Sequence, residues 1–238
     1  MLPRAVDGFD LSAEQFRDRV AQRYGKQPLG LPVNCDGCGK PFSLQHGLSC
    51  MKGGLVKQGH DNLRDECIKL SEMAWGGVTS EPLIKEESGR CKEELRADFC
   101  VRGVWEGNRT AFFDNRILDA DAKCRLERNI SWKTALKSAA EEKKRKYRNV
   151  CEDIRSSFTP LVITIDGCLH REFEAFLKRL AARLASKWKS SFSYVLGWVK
   201  VRIQFALIKA TDLRLKGTRK RISGLGLDDG AGIMFFPQ

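Results

Sequence analysis

Residues 96–118 read RADFCVRGVWEGNRTAFFDNRIL, and this stretch decides the fold. Ala97 to Val101 and Thr110 to Leu118 are apolar runs of strand length, and the segment between them holds a Gly-Asn pair typical of tight turns. The stretch therefore predicts two neighbouring strands. Val78 to Ile84, after Gly76-Gly77, predicts a third strand before them.

Helices and one more strand flank these segments. His60 to Trp75 carries apolar residues at helical spacing, with Glu66 on the edge of the stripe. Downstream, Ser131 caps a predicted helix to about Ile154, and Leu161 to Ile165 is apolar throughout, as in a strand covered on both faces. The predicted order is helix, three strands, helix, strand, so the fold class is α/β.

The N-terminal part predicts a helix and a linker. Ser12 to Tyr24 has a capping-box pattern and helical spacing, and Gly25 to Pro32 has linker composition. Further along, residues 194–213 fit both helical and strand periods, and their uninterrupted length favours a helix. Five divisions are expected: an N-terminal helix and linker (1–30), a zinc loop (31–56), a core (57–170), a basic helical extension (171–222) and a flexible tail (223–238).

Charge is concentrated towards the C-terminus. The 238 residues carry a formal net charge of +12, with 42 Lys and Arg against 30 Asp and Glu. Glu172 to Trp188 predicts a basic amphipathic helix on which the following residues surround the apolar face: Lys178, Arg179, Arg183 and Lys187. This surplus favours contact with a polyanion such as DNA. The apolar runs are too short for a membrane span, and Met1 to Gly8 lacks the apolar character of a secretion signal.

Three of the nine cysteines cluster with a histidine. Cys35-x2-Cys38-x7-His46-x3-Cys50 offers three thiolates and one imidazole, enough for a closed tetrahedral zinc site. No position stays open for water, so the predicted zinc is structural. The alternative is that these are ordinary thiols in a loop beside a core histidine. The six scattered cysteines are expected to be reduced core or surface thiols.

Asp98 and Asp114 each interrupt an apolar strand. Two carboxylates on neighbouring strands repel each other, so their joint presence favours a divalent cation between them, with Glu66 as a third oxygen donor. Lys143 or Lys144 on the following helix would supply positive charge for attack of a metal-bound water on a phosphodiester. The alternative is structural: Asp98 pairs with Arg96 or Arg116, and Lys143 belongs to a solvated face.

The order of these motifs resembles the restriction-like endonuclease domain of site-specific non-LTR retrotransposons, a branch of the PD-(D/E)XK nuclease superfamily. The similarity covers roughly residues 30–167 and rests on the cysteine and histidine spacing, Gly59-His60-Asp61, Arg96-Ala97-Asp98, Asp114 and the Lys-rich stretch Glu141 to Tyr147. The resemblance implies an αβββαβ core and magnesium-dependent DNA nicking, whose 3′-hydroxyl primes reverse transcription. It makes Asp98 and Asp114 the magnesium-binding acids and Lys143 or Lys144 the displaced catalytic lysine, and it matches His60 and Asp61 to the family's basic-His-Asp/Asn motif. His60 and Arg116 are the residues of this region predicted to contact DNA.

The chain departs from that pattern at three positions and in the gap between His46 and Cys50, which is one residue shorter than expected. Ala97 stands where the family prefers Pro, Gly59 where it prefers Arg or Lys, and Arg116 where the superfamily has Lys. Arg116 stays charged at neutral pH and cannot act as a base. Two other functions therefore stay open: a non-catalytic zinc-stabilised nucleic-acid-binding module, and a basic docking surface for an acidic protein.

The resemblance also implies partners and a cellular location. The implied partners are element RNA and a reverse transcriptase. The reverse transcriptase would lie on a separate or missing segment, since no Tyr-x-Asp-Asp motif occurs here. The implied location is the nucleus, reached from the cytoplasm.

Overall fold

The structure is a computed structural model that describes residues 9–85 and 94–220. The predicted tail at 223–238, one of the scattered cysteines, Cys91, and the start of the predicted N-terminal segment lie outside the described residues. Within that part of the chain the fold is mixed α/β, as the sequence predicts. No helix there combines the length and the apolar character needed to cross a membrane.

The described residues form helices and strands in this chain order: α1 (Ala13–Arg23), α2 (Leu44–Ser49), α3 (Leu55–Ala74), β1 (Thr79–Ser80), β2 (Leu83–Lys85), β3 (Leu95–Arg96), β4 (Phe99–Arg102), β5 (Thr110–Leu118), α4 (Lys123–Leu126), α5 (Trp132–Asp153), β6 (Ser157–Thr164), α6 (Arg171–Trp188) and α7 (Phe192–Lys216). A short 3-10 turn, Lys52–Gly54, precedes α3. The order helix, strands, helix, strand therefore holds for α3 to β6, with extra short elements between.

The main sheet has four strands in the order β1-β4-β5-β6. Strand β4 pairs antiparallel with β5, with Phe99 opposite Phe113. Strand β5 pairs parallel with β6 from Ala111 to Leu118, which covers the whole of β6. The long crossover through α5 makes this parallel pairing possible, because parallel strands cannot be joined by a tight turn. A separate two-stranded ribbon joins β2 and β3.

Helices cover both faces of the main sheet. One face packs on α5, where Leu136 and Ala140 contact Val162 of β6. The other face packs on α3, α6 and α7 in one hydrophobic cluster that includes Phe99, Phe113 and residues of all three helices. Each fully buried aromatic ring stabilises such a core by roughly 1.5–3 kcal/mol. Helices α6 and α7 therefore share the core of the sheet, and only their outer faces are available for ligands.

Several predicted elements are confirmed. Helix α1 begins after Ser12, whose hydroxyl accepts from Gln15 N while the Gln15 side chain accepts from Ser12 N, so the capping box forms. Ser131 caps α5 through its hydroxyl, which accepts from Thr134 N. The ambiguous stretch 194–213 lies within helix α7, because Val199, Ile203 and Leu207 at helical spacing are buried in the core.

Other boundaries differ from the prediction. Helix α3 begins at Leu55 rather than His60, since Gly53 and Gly54 adopt left-handed angles and end the preceding turn there. The predicted strand Val78 to Ile84 is two short strands, because Glu81 has φ +48° and turns the chain. Strand β4 begins at Phe99, so Asp98 immediately precedes it. Helices α2 and α4 were not predicted; they have one or two turns, too few for a periodic pattern.

Candidate functional site

The cysteine cluster, Cys35, Cys38, His46 and Cys50, is built from a tight turn followed by a short helix. Cys35 N donates to Lys40 O at 2.8 Å and Gly39 N donates to Cys35 O at 2.8 Å, so the first two cysteines lie in a hydrogen-bonded loop. Ser43 caps α2 through His46 N, and Cys50 N donates to His46 O. His46 and Cys50 therefore stand one helical turn apart and face the loop.

The four donor atoms of the cluster lie within 4.8 Å of one another. Cys35 Sγ is 3.8 Å from Cys50 Sγ, and Cys38 Sγ is 3.3 Å from His46 Nε2. Tetrahedral zinc with Zn–S bonds of about 2.3 Å places two sulfurs about 3.8 Å apart. Burial raises the pKa of Cys35, but hydrogen bonds from His46 and the backbone of Gly37 and Cys38 lower it to about 6. The cluster can therefore bind zinc, and its four protein donors leave no place for a substrate.

Hydrogen bonds from Thr218 and Arg219, just after α7, connect the cysteine cluster to the rest of the protein. Arg219 N donates to Asp36 Oδ2 at 2.7 Å, and the Thr218 hydroxyl donates to the same oxygen at 2.9 Å. Arg219 also donates to Gly47 O at 3.0 Å and lies over the ring of Phe42. Sequence reasoning missed Arg219, because nothing in the basic run Lys216 to Arg221 distinguishes one inward-pointing arginine from the other basic residues.

Asp98 lies just before β4 and beside Asp114 of β5. Asp98 N donates to Phe113 O at 3.0 Å, and Asp98 Oδ2 accepts from Asn115 N, so Asp98 contacts the residues on both sides of Asp114. The two aspartates therefore come from adjacent backbones, as the sequence predicts.

Asp98 is held on the side of α3. Its Oδ2 accepts from Asn115 N at 2.5 Å and lies 3.1 Å from His60 Nε2. The His60 ring also contacts Asp61 Oδ1 at 3.3 Å. Burial would lower the pKa of His60, but its hydrogen bond with Asp98, the negative charge of Asp98 and its hydrogen bond with Asp61 raise it to about 9. At neutral pH His60 is therefore a cation that orients Asp98.

Asp114 is held on the side of α5. Its carboxylate is 5% exposed and lies 2.5 Å from Lys143 Nζ. Burial and the negative charge of Asp98 raise the pKa of Asp114, and Lys143 offsets part of that rise. Tyr147, one turn after Lys143, donates its hydroxyl to Arg96 O at 3.0 Å and fixes α5 against the strands. We call Asp98, Asp114, His60 and Lys143 the aspartate site.

The structure places Glu66 and Lys144 elsewhere. Glu66 Oε1 lies 2.5 Å from Arg202 Nε on α7, and within the described residues it does not complete a three-ligand cluster with the two aspartates. Lys144 is buried and pairs with Glu172 of α6 at 2.8 Å. Of the two predicted lysines, Lys143 is thus the one that meets an aspartate. Arg202 was missed because it lies in the stretch whose period was ambiguous.

The predicted arginine partners of Asp98 are also placed elsewhere. Arg116 pairs with Glu142 at 2.6 Å, and Arg96 pairs with Glu94 at 3.0 Å. The structural alternative, in which Asp98 pairs with Arg96 or Arg116, is therefore wrong for both residues. Through Glu142, Arg116 lies beside the exposed, lysine-rich face of α5.

The predicted basic residues of α6 are exposed, and each has a partner. Lys178 pairs with Glu174 at 3.0 Å. Arg179 donates to Val104 O, Arg183 to Ala74 O and Lys187 to Met73 O. The last two thus bind carbonyl groups at the C-terminal end of α3, where positive charge is favourable.

No protein-family model matches the chain, and no curated protein matches its sequence.

Proposed function

We propose that residues 57–170 are a nuclease core of the PD-(D/E)XK type, resembling that of site-specific non-LTR retrotransposons, and that it nicks DNA with magnesium. The observation that carries the proposal is that Asp98, just before β4, hydrogen-bonds to both chain neighbours of Asp114 on β5, while Lys143 Nζ lies 2.5 Å from Asp114. The four-stranded mixed sheet with α3 on one face and α5 on the other supports it, because it is the element order which that superfamily implies.

The aspartate site has the chemistry that magnesium requires. Asp114 is a buried carboxylate whose pKa is raised partly by a second carboxylate, and a divalent cation would relieve that repulsion. Magnesium is commonly bound through one or two carboxylates plus waters and substrate phosphates, so two aspartates suffice. Bound there, the ion would lower the pKa of a water and neutralise charge on a phosphate.

The surrounding side chains have distinct roles in this proposal. Lys143 holds Asp114 in place and offers an ammonium group to the phosphate, where it stabilises the negative charge that develops during attack. His60, kept cationic by Asp98 and Asp61, orients Asp98 and adds positive charge towards the DNA. Arg116 acts at the surface, where it pairs with Glu142.

Affinity for DNA would come from the basic outer faces of the helices. On α5, Arg145, Lys146 and Arg148 are exposed beside Lys143, and on α6 the four predicted basic residues are exposed as well. Such contacts neutralise phosphates and carry little sequence information.

Zinc at the cysteine cluster would fix the N-terminal loop against α7. In a retrotransposon protein located in the nucleus, a reverse transcriptase would then extend the 3′-hydroxyl of the nick by copying element RNA.

A second candidate function has its own observation. The acidic groups near the strands are already paired, Asp114 with Lys143 and Glu66 with Arg202. A site neutralised in this way can persist without a metal. The second candidate is therefore a non-catalytic nucleic-acid-binding module that keeps the zinc and the basic helices.

A plasmid-nicking assay separates the two. Zinc-loaded protein is incubated with supercoiled plasmid and magnesium, together with Asp98→Asn, Asp114→Asn and the control Asp153→Asn, which changes an exposed acid at the end of α5. We expect the wild type and the control to produce open circles, and the two other variants to bind DNA without cutting it. DNA binding by all four proteins with no nicking by any would favour the binding module.

A further inference from the structure

A cleft of about 510 Å³ lies at the end of the β4–β5 hairpin, between the C-terminal end of α3 and the middle of α6. Its lining includes Trp75, Arg102, Gly103, Gly107, Arg179 and Arg183. Arg102 is at the opposite end of β4 from Asp98, about 13 Å along the strand. The cleft is therefore separate from the aspartate site.

Three guanidinium groups line the cleft, and no acidic residue lines it. Arg179 Nε donates to Val104 O at 2.8 Å and Arg183 Nε donates to Ala74 O at 3.4 Å. Within the described residues these bonds leave the terminal nitrogens of both arginines without a partner, and Arg102 forms no ion pair there. Backbone carbonyls thus orient two guanidinium groups without neutralising them, which preserves their capacity to bind phosphate.

The lining of the cleft also includes an aromatic ring, Trp75, and two glycines without side chains. Trp75 is half-buried, and its indole stacks on Phe176 with an interplanar angle of 23°. That contact fixes the ring as a flat surface at the edge of the core. Gly103 and Gly107 present no side chains, and Gly103 has φ +82°, which disfavours any other residue there. The cleft is therefore wider than a lone phosphate needs.

We propose that this arginine cleft, defined by Arg102, Arg179, Arg183 and Trp75, binds a single-stranded nucleic acid by its backbone phosphates and one unstacked base. Guanidinium groups recognise phosphate bidentately, and an aromatic face stacks on bases of any sequence. In a duplex the base faces are covered by their neighbours, so Trp75 would have nothing to stack on. The inference rests on the proposed nucleic-acid role but not on metal binding at the aspartates.

Fluorescence anisotropy with a labelled ten-nucleotide dT strand, and with a duplex of equal length, tests the proposal. Full-length protein is titrated in zinc-containing buffer without magnesium, so that no cleavage occurs. The variants are Arg102→Gln, the triple Arg102→Gln/Arg179→Gln/Arg183→Gln, and Trp75→Leu. Arg128→Gln is the matched control, since Arg128 is exposed and outside the cleft.

We expect the triple variant to weaken dT binding about 100-fold, because it loses its guanidinium contacts with phosphate. We expect Trp75→Leu to weaken it about 10-fold, because the base loses its aromatic stacking partner. Duplex affinity should fall less than dT affinity in the triple variant, because Arg179 and Arg183 also belong to the basic face of α6, and it should be unchanged in Trp75→Leu, as in Arg128→Gln. Unchanged dT affinity in the triple variant would overturn the proposal, and so would an equal loss for duplex and single strand. Arg102→Gln alone keeps the test valid if the triple variant unfolds at a lower temperature, because within the described residues no hydrogen bond uses the Arg102 side chain and the substitution leaves its backbone pairing with Thr110 in place.

The outcome is distinguishable from failure of the proposed function. If wild-type protein does not nick plasmid but the cleft variants lose dT binding, the nuclease proposal fails and the arginine cleft stands. If the wild type nicks and the cleft variants bind dT normally, the nuclease proposal stands and the cleft proposal fails.

Discussion

The cysteine cluster and the aspartate site are assembled in opposite ways. All four members of the cluster lie between Cys35 and Cys50, on one turn and one short helix. The aspartate site takes His60 from α3, Asp98 and Asp114 from adjacent backbones, and Lys143 from α5. The first is fixed by local chain geometry, whereas the second exists only if the sheet register and two helices are correct.

This difference decides how each site responds to change. Zinc binding in small domains contributes about 10–16 kcal/mol of apparent free energy, so a local loop depends directly on its metal. The aspartate site is supported by the hydrophobic core on both faces of the sheet, so its side chains can be altered while the backbone stays folded. We therefore expect changes at the cysteine cluster to unfold its loop, and changes at the aspartate site to alter chemistry more than folding.

Loss of zinc should have the largest effect, and it should be local. Cys38→Ala removes one of four donors, so we expect about one equivalent of zinc to be lost and the chain near residues 31–56 to become open to protease. Metal analysis and limited proteolysis measure this. Cys124→Ala is the control, because Cys124 is exposed and outside the cluster. A variant that loses zinc and yet resists protease would show that the contacts of Arg219 suffice.

Lys143 and Lys144 should differ sharply although they are neighbours. Lys143→Ala removes the ammonium group at Asp114, and we expect nicking to fall about 100- to 1,000-fold, which corresponds to loss of one electrostatic stabiliser. Lys144→Ala leaves Glu172 without that partner and should lower thermal stability while nicking continues. Single-turnover nicking rates and melting curves test the pair. Equal nicking by both variants would remove Lys143 from the mechanism.

Glu66 should matter for stability and not for metal binding. Its ion pair with Arg202 is nearly buried, so Glu66→Gln should lower the free energy of unfolding by about 2 kcal/mol. Nicking per folded molecule should be unchanged. Denaturant unfolding and nicking rates check both parts. A variant that stays stable but stops cutting would restore Glu66 as a ligand.

The basic residues of α6 should give the smallest effect on any one measurement. Replacing Lys178, Arg179, Arg183 and Lys187 with Gln should flatten the dependence of duplex binding on salt, by about one unit of slope for each phosphate that the helix no longer neutralises. Anisotropy at several salt concentrations measures the slope. An unchanged slope would assign duplex binding to other surfaces, such as that of α5.

The two sites also show what a sequence can predict. The ligands of the cysteine cluster follow from spacing, and the order from α3 to β6 follows from hydrophobic periodicity. Two ion pairs do not follow from the sequence pattern: Glu66 with Arg202, and Lys144 with Glu172. Each pair joins residues that are distant along the chain, and hydrophobic periodicity does not specify how their helices pack. For the same reason Arg219 and the arginine cleft emerge only from the folded structure.

The central claim is that Asp98 and Asp114 share one divalent ion. The most direct test is titration of zinc-loaded protein with Mn²⁺, followed by electron paramagnetic resonance of the free ion, for the wild type, Asp98→Asn, Asp114→Asn and Asp153→Asn. The account predicts one Mn²⁺ site in the wild type and in Asp153→Asn, weakened at least tenfold in each of the other two variants. Identical titrations for all four proteins would contradict it.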